Sequence, residues 1–128
     1  MYLTLKVPNN NLKGININKA TKILTAKSPK DKANWNLNKF RKMIKNKTVY
    51  LTFDVDGLDS SIMPATGTPE PGGLLWEETL NIIKMATKNS NIVGADINEL
   101  SPIKGFNSYN FLVAKLAYKI LSYKFLYK

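Results

Sequence analysis

Two short runs of mostly apolar, β-branched and aromatic residues lie about forty positions apart: V-Y-L-T-F-D-V (49–55) and N-I-V-G-A-D-I-N (91–98). Each is followed by a stretch with apolar residues at helical spacing, and that order restricts the fold more than any other feature. A nearly continuous apolar run is what a strand covered on both faces requires. Leu75 to Lys88 sets Trp76, Leu80, Ile83 and Thr87 along one side of a helix, and a longer helix starts near Ser108. Upstream, residues 36–46 (N-L-N-K-F-R-K-M-I-K-N) place Leu37, Phe40, Met43 and Ile44 at helical spacing between asparagines suited to capping. Strand, helix, strand, helix with short connections predicts an α/β fold, with a three-layer, mainly parallel sheet and flanking helices.

The chain of 128 residues is one domain at most, with a modest core. Residues 1–34 are rich in Asn, Lys and Pro and weakly periodic, so they read as a poorly defined segment with a short strand near Tyr2 to Val7. The organised domain is expected over 35–128.

Composition narrows the chemistry. There is no cysteine and no histidine, which removes disulfides, thiolate metal sites and the commonest general base. Catalysis by this chain would run on carboxylates, hydroxyls, lysines and backbone. The start carries no secretory signal pattern. The apolar run 109–127 contains Lys115, Lys119 and Lys124, which suits a solvated helix face better than a membrane span. A cytoplasmic protein with no membrane partner is the expectation. The net charge of +10 does not point to nucleic acid: eighteen of the nineteen basic residues are lysines, and no aromatics interleave with them as stacking platforms.

Eight of the nine acidic residues lie between Asp54 and Glu99, and three of them fall in D-V-D-G-L-D (54–59). Strand alternation would point Asp54 and Asp56 the same way, their Cα atoms roughly 6.5 Å apart. Both stand at a strand's carboxyl end, where ligands of open α/β sheets bind. Glu99 stands at the matching end of the second strand. Carboxylates gathered there raise one another's pKa, and a hard divalent cation such as Mg²⁺ or Mn²⁺ relieves that repulsion. Aspartates beside a glycine also cap turns, and a bare D-x-D leaves both readings open.

The surrounding residues extend the pattern: Asp-x-Asp-x-x-Asp, then P-A-T-G-T-P (64–69), then Gly72-Gly73, then Asp96-x-x-Glu99-x-x-Pro102. From Val49 to Pro102 this resembles the ureohydrolase family of arginases, agmatinases and formimidoylglutamases, with looser similarity from Trp35 and through the terminal helix. Thr52 stands where the family signature has Ser, and Ser60 where it has Pro. The resemblance implies the C-terminal part of an arginase-like fold and a two-manganese hydrolase. It assigns Asp54 as a ligand bridging both metals, Asp56 as a ligand to one, Glu99 to the substrate guanidinium and Thr68 to the substrate pocket. Asp59 and Asp96 match supporting positions, with turn and strand-end hydrogen bonding as the other reading. P-A-T-G-T-P-E-P-G-G-L looks most like agmatinases, implying hydrolysis of agmatine to putrescine and urea. Arginase or another guanidino or formimino hydrolase of the family is the alternative.

The family's Gly-Gly-Asp-His and Asp-Ala-His-x-Asp blocks, which carry its other ligands, are absent from this sequence. The resemblance therefore implies a fragment inactive by itself, whose N-terminal half would be supplied separately, in a family whose full-length members form homo-oligomers. A non-enzymatic basic remnant serving as a binding module is the competing class.

Overall fold

The computed structural model describes residues 3–6, 22–24 and 37–127. In chain order these form β1 (Leu3–Lys6), β2 (Lys22–Leu24), α1 (Leu37–Ile44), β3 (Thr48–Asp54), a single 3-10 turn (Val55–Gly57), α2 (Trp76–Asn89), β4 (Asn91–Asn98) and α3 (Asn107–Leu126). The four strands make one sheet in the order β2-β1-β3-β4.

The pairing at the heart of the site is parallel. β3 and β4 run side by side with Val49 opposite Ile92 and Asp54 opposite Asn98, and Val93 is accommodated by an irregularity beside Tyr50. β1 is the strand expected near Tyr2 to Val7, and it pairs antiparallel with both β2 and β3. β2, three residues long, is too short to carry a period-2 signal in the sequence.

The core lies on one side of β3. Val49, Leu51 and Phe53 are each at most 1% exposed and alternate with half-buried Tyr50, Thr52 and Asp54. Phe40 and Ile44 of α1, Leu80, Ile83 and Ala86 of α2, and Leu116 and Ile120 of α3 join those three β3 residues in one cluster. The described residues thus supply the sheet and one helical layer of the expected arrangement. Even coverage of β3 is corrected: its apolar composition reflects one dry face, with a polar ladder on the other. β4 differs further. Among the described strands it is the sheet edge, and Ile92 is buried while Val93 is 54% exposed. Its residues read as a buried strand from composition, yet no described strand pairs with its outer side.

Helix boundaries follow local chemistry. α1 buries Phe40 and Ile44 but leaves Leu37 and Met43 exposed, so half of its predicted stripe meets the core. It stops at Asn46, which takes the left-handed backbone (φ 59°) that Asn tolerates past a helix end. The Asn46 N–H then donates to the Asn89 carbonyl at 2.8 Å, tying together the ends of α1 and α2. α2 starts where the Glu78 carboxylate accepts from the Leu75 N–H at 2.7 Å, and Glu77 and Glu78 both favour the positive end of the helix dipole. α3 is apolar on more than one side. Leu116, Ile120 and Tyr123 are buried, while Phe111, Tyr118 and Leu121 are more than half exposed beside exposed Lys115, and among the described residues no helix is long and apolar enough to cross a membrane.

Candidate active site

β3 delivers Asp54 at its last position, and the chain then turns at once. The Leu58 N–H closes the 3-10 turn by donating to the Val55 carbonyl at 3.0 Å. Asp56 therefore sits in a turn, and the strand alternation invoked to place it beside Asp54 does not apply. The turn nonetheless keeps the two acids close. The Asp54 carboxyl is raised above its ordinary value, first by partial burial, then by the negative charges of Asp56 and Glu99, against a lowering hydrogen bond from Asn98.

Asp56 is the buried member, 8% exposed. Its Oδ2 accepts a hydrogen bond from the Thr68 hydroxyl at 3.0 Å. Its Oδ1 is buried with no hydrogen-bond partner. A buried carboxylate oxygen left bare costs free energy unless something positive or proton-bearing completes it.

The loop between β3 and α2 is anchored at three places. At its base Asp59 accepts from the Ser61 N–H (2.9 Å) and the Ser61 hydroxyl (2.5 Å) through Oδ1, and from the Gly72 N–H (2.7 Å) through Oδ2. Beside that clamp Gly73 lies so close to the main chain of Leu58 and Asp59 that a Cβ would come within 2.6 Å of three backbone atoms, which no side chain can accommodate. At the tip Thr66 bridges Leu100, and the Ser101 N–H donates to the Ala65 carbonyl at 2.9 Å. The P-A-T-G-T-P loop and the segment after β4 thus form one stitched unit.

That stitching brings Glu99 to the mouth of the site. Glu99 is exposed and holds a left-handed backbone (φ 68°), an uncommon state for a residue with a long side chain. Its charge reaches Asp54. Asp96 lies on the same sheet face as Thr52 but further back, where Tyr50 and Asn98 hydrogen-bond to it. The Tyr50 phenol is raised above 10 chiefly by that bond, and Asn98 Nδ2 donates to Asp96 Oδ1 at 2.6 Å. Gly94 makes room for the Tyr50 ring, since a Cβ there would fall 2.6 Å from Cε2. Asn98 and Tyr50 escaped the sequence reading. Period-2 spacing put Asn98 on the Asp96 face, but its reach to Asp54 depends on the strand register.

The donor set suits a hard cation in kind. Asp54 and the bare Oδ1 of Asp56 are carboxylate oxygens, the ligands that Mg²⁺ and Mn²⁺ take. It is incomplete in number: among the described residues no three His, Cys, Asp or Glu side chains group closely enough to hold a metal ion. Glu99, expected as a third converging carboxylate, acts on Asp54 by charge and does not complete such a group.

The sequence model of the Arginase family matches residues 8–122. The chain belongs to the arginase family. An N(1)-aminopropylagmatine ureohydrolase of Synechocystis is 41% identical over 101 residues, covering 79% of this chain and 33% of that protein. An agmatinase of Blochmanniella floridana is 48% identical over 67 residues, covering 52% of this chain and 22% of its own length. The crystal structure of the agmatine ureohydrolase of Thermoplasma volcanium superposes with a TM-score of 0.61 at 30% identity, over 76% of this chain and 33% of the other. The chain spans about a third of the length of the first of these relatives. Arginase-family ancestry accounts for the ordered series from Asp54 through P-A-T-G-T-P to Glu99.

Proposed function

We propose that this chain carries one wall of an agmatinase-type site, which hydrolyses a guanidino compound to urea and an amine with manganese as cofactor. The bare, buried Oδ1 of Asp56, next to an Asp54 whose own ionisation is opposed by its neighbours, is the observation that carries this reading. Asp54 and Asp56 would hold the metal. When bound, Mn²⁺ supplies Lewis acidity and lowers the pKa of water toward neutrality.

The chain's own residues would do the rest. Glu99, exposed at the mouth, would receive the guanidinium through charge-assisted hydrogen bonds and hold its carbon toward Asp54 and Asp56. A water oxygen would bond to that carbon as the C–N bond to the alkyl amine breaks, and both water protons would pass to the departing nitrogen, which leaves as an ammonium. With agmatine the products are putrescine and urea. The relatives named for agmatine and for its aminopropyl derivative share the same guanidino end, which is the end that Glu99 would meet.

Histidine is absent from the sequence, so the remaining ligands of a preorganised two-metal site must come from another polypeptide segment. Mn²⁺-dependent urea release from agmatine is expected to be negligible for these 128 residues alone. It should appear on addition of a segment bearing the Gly-Gly-Asp-His and Asp-Ala-His-x-Asp blocks. Substantial turnover by the chain alone would sink the claim that it is only one wall.

A further inference from the structure

We propose that the outer face of α3 is a docking surface for an amphipathic helix whose apolar seam is flanked by acidic residues. The inference stands apart from the metal reading of Asp54 and Asp56. α3 (Asn107–Leu126) has 20 residues, a length of about 30 Å, and is apolar on two opposite faces. One face meets the core through buried Leu116, Ile120 and Tyr123. The other carries Phe111, Ala114, Tyr118, Leu121 and Phe125, at successive steps of three, four, three and four residues. That alternation is the a/d spacing by which one helix packs along another, and a helix that covers a single core needs only one such stripe. The four large members of the series are between 54% and 70% exposed, and Ala114 is exposed with them. At 3.6 residues per turn all five fall within a sector of about 80°, so they form one continuous strip rather than scattered surface positions.

The flanks of the strip select the partner. α3 carries Lys115, Lys119 and Lys124 and no acidic residue. Lys115 is exposed and lies four residues after Phe111 and three before Tyr118, beside the seam. On the same side Lys119 is held over the Tyr123 ring, 5.9 Å from its centroid. On the opposite side Lys124 donates to the Ile92 carbonyl of β4. Two of the three ammonium groups are thus placed before any partner arrives, which lowers the ordering cost of binding. A second copy would set the same lysines against these and bring a second net charge of +10, and like charges along a helix pair oppose association. Glu or Asp beside a partner's seam reverses the sign of that interaction. The occupant that the surface fits is therefore an acidic-flanked helix of another polypeptide.

The test follows, by fluorescence anisotropy, the binding of two labelled helical peptides of about three heptads to the whole 128-residue chain. Both peptides carry Leu at a and d; one has Glu at e and g, the other Lys. The Glu peptide should bind at least about tenfold more tightly at low salt, and that lead should shrink at about 1 M salt. Tyr118→Gln with Leu121→Gln should weaken its binding about tenfold or more. Both side chains are exposed, so the fold should persist, which circular dichroism verifies. Lys115→Glu, a second variant that leaves the seam intact, should narrow the preference for the Glu peptide. Binding of neither peptide, equal binding of both, or binding indifferent to the changes at Tyr118 and Leu121 would overturn the proposal. Sedimentation of the chain alone should show a monomer. A dimer that Leu121→Gln dissociates would overturn the acidic partner in favour of a second copy.

Discussion

Replacing Asp59 with alanine should open the loop that carries Thr68 without touching the proposed ligands. The substitution removes acceptors from the Ser61 N–H, the Ser61 hydroxyl and the Gly72 N–H, at 2.9, 2.5 and 2.7 Å. Hydrogen bonds to a charged group contribute about 1.5–3 kcal/mol each. The two at Ser61 are exposed and count for little, while the Gly72 bond is partly buried and closes thirteen residues of chain. A total loss of about 2–3 kcal/mol is the reasonable sum. With 128 residues and an unfolding entropy near 2.1 cal/mol/K per residue, that loss lowers Tm by about 7–11 °C.

Thermal unfolding by circular dichroism gives the first number, and amide exchange gives the location. The Gly72 amide should lose protection before any amide of β3. Asp59→Asn retains one acceptor oxygen and should recover roughly half of the loss. A Tm drop below about 2 °C, with Gly72 as protected as in the parent, would refute the idea that Asp59 is the clamp.

Two glycines of the same loop should answer differently. Gly73→Ala, which drives a Cβ against the Leu58 and Asp59 backbone, should cost about 1–3 kcal/mol in chemical denaturation, and Gly67→Ala, with nothing within 4 Å, should be nearly neutral. Asp54 sets a pH dependence. Its carboxyl is raised in the folded state, so the native protein holds the proton to higher pH than the unfolded chain does. Its contribution favours folding at low pH and is lost as pH rises from the ordinary carboxylate value of 3.8 through the raised one. Asp54→Asn should remove that fall, so a metal-free variant no less stable than the parent at pH 7 is expected. Denaturant titrations from pH 3 to 7 check it, and an unchanged slope would contradict the assignment.

Much of the site was legible in the residues because its parts are close in sequence. The D-V-D run, the P-A-T-G-T-P loop and the D-I-N-E segment each carry their meaning in order and spacing, β3 announces itself as an apolar run, and α2 by its helical spacing. Less legible was whatever depends on which surface meets which. β3 and β4 look alike as apolar runs, yet one is central and the other is the edge of the described sheet, a difference set by strand order. Asp56 follows Asp54 by two residues, and a local 3-10 turn overrode the alternation that spacing alone implies.

Sequence by itself determined the ancestry, the kind of donor atoms available and the lack of any histidine ligand. Tertiary structure decided which oxygen of Asp56 is tied to Thr68 and which stays bare, and that Asp59 pins both ends of a loop. It also decided that Glu99 reaches Asp54 as a charge from a left-handed turn. These depend on contacts across twelve or more residues, where packing and register choose the partner, and no local pattern of side chains records that choice.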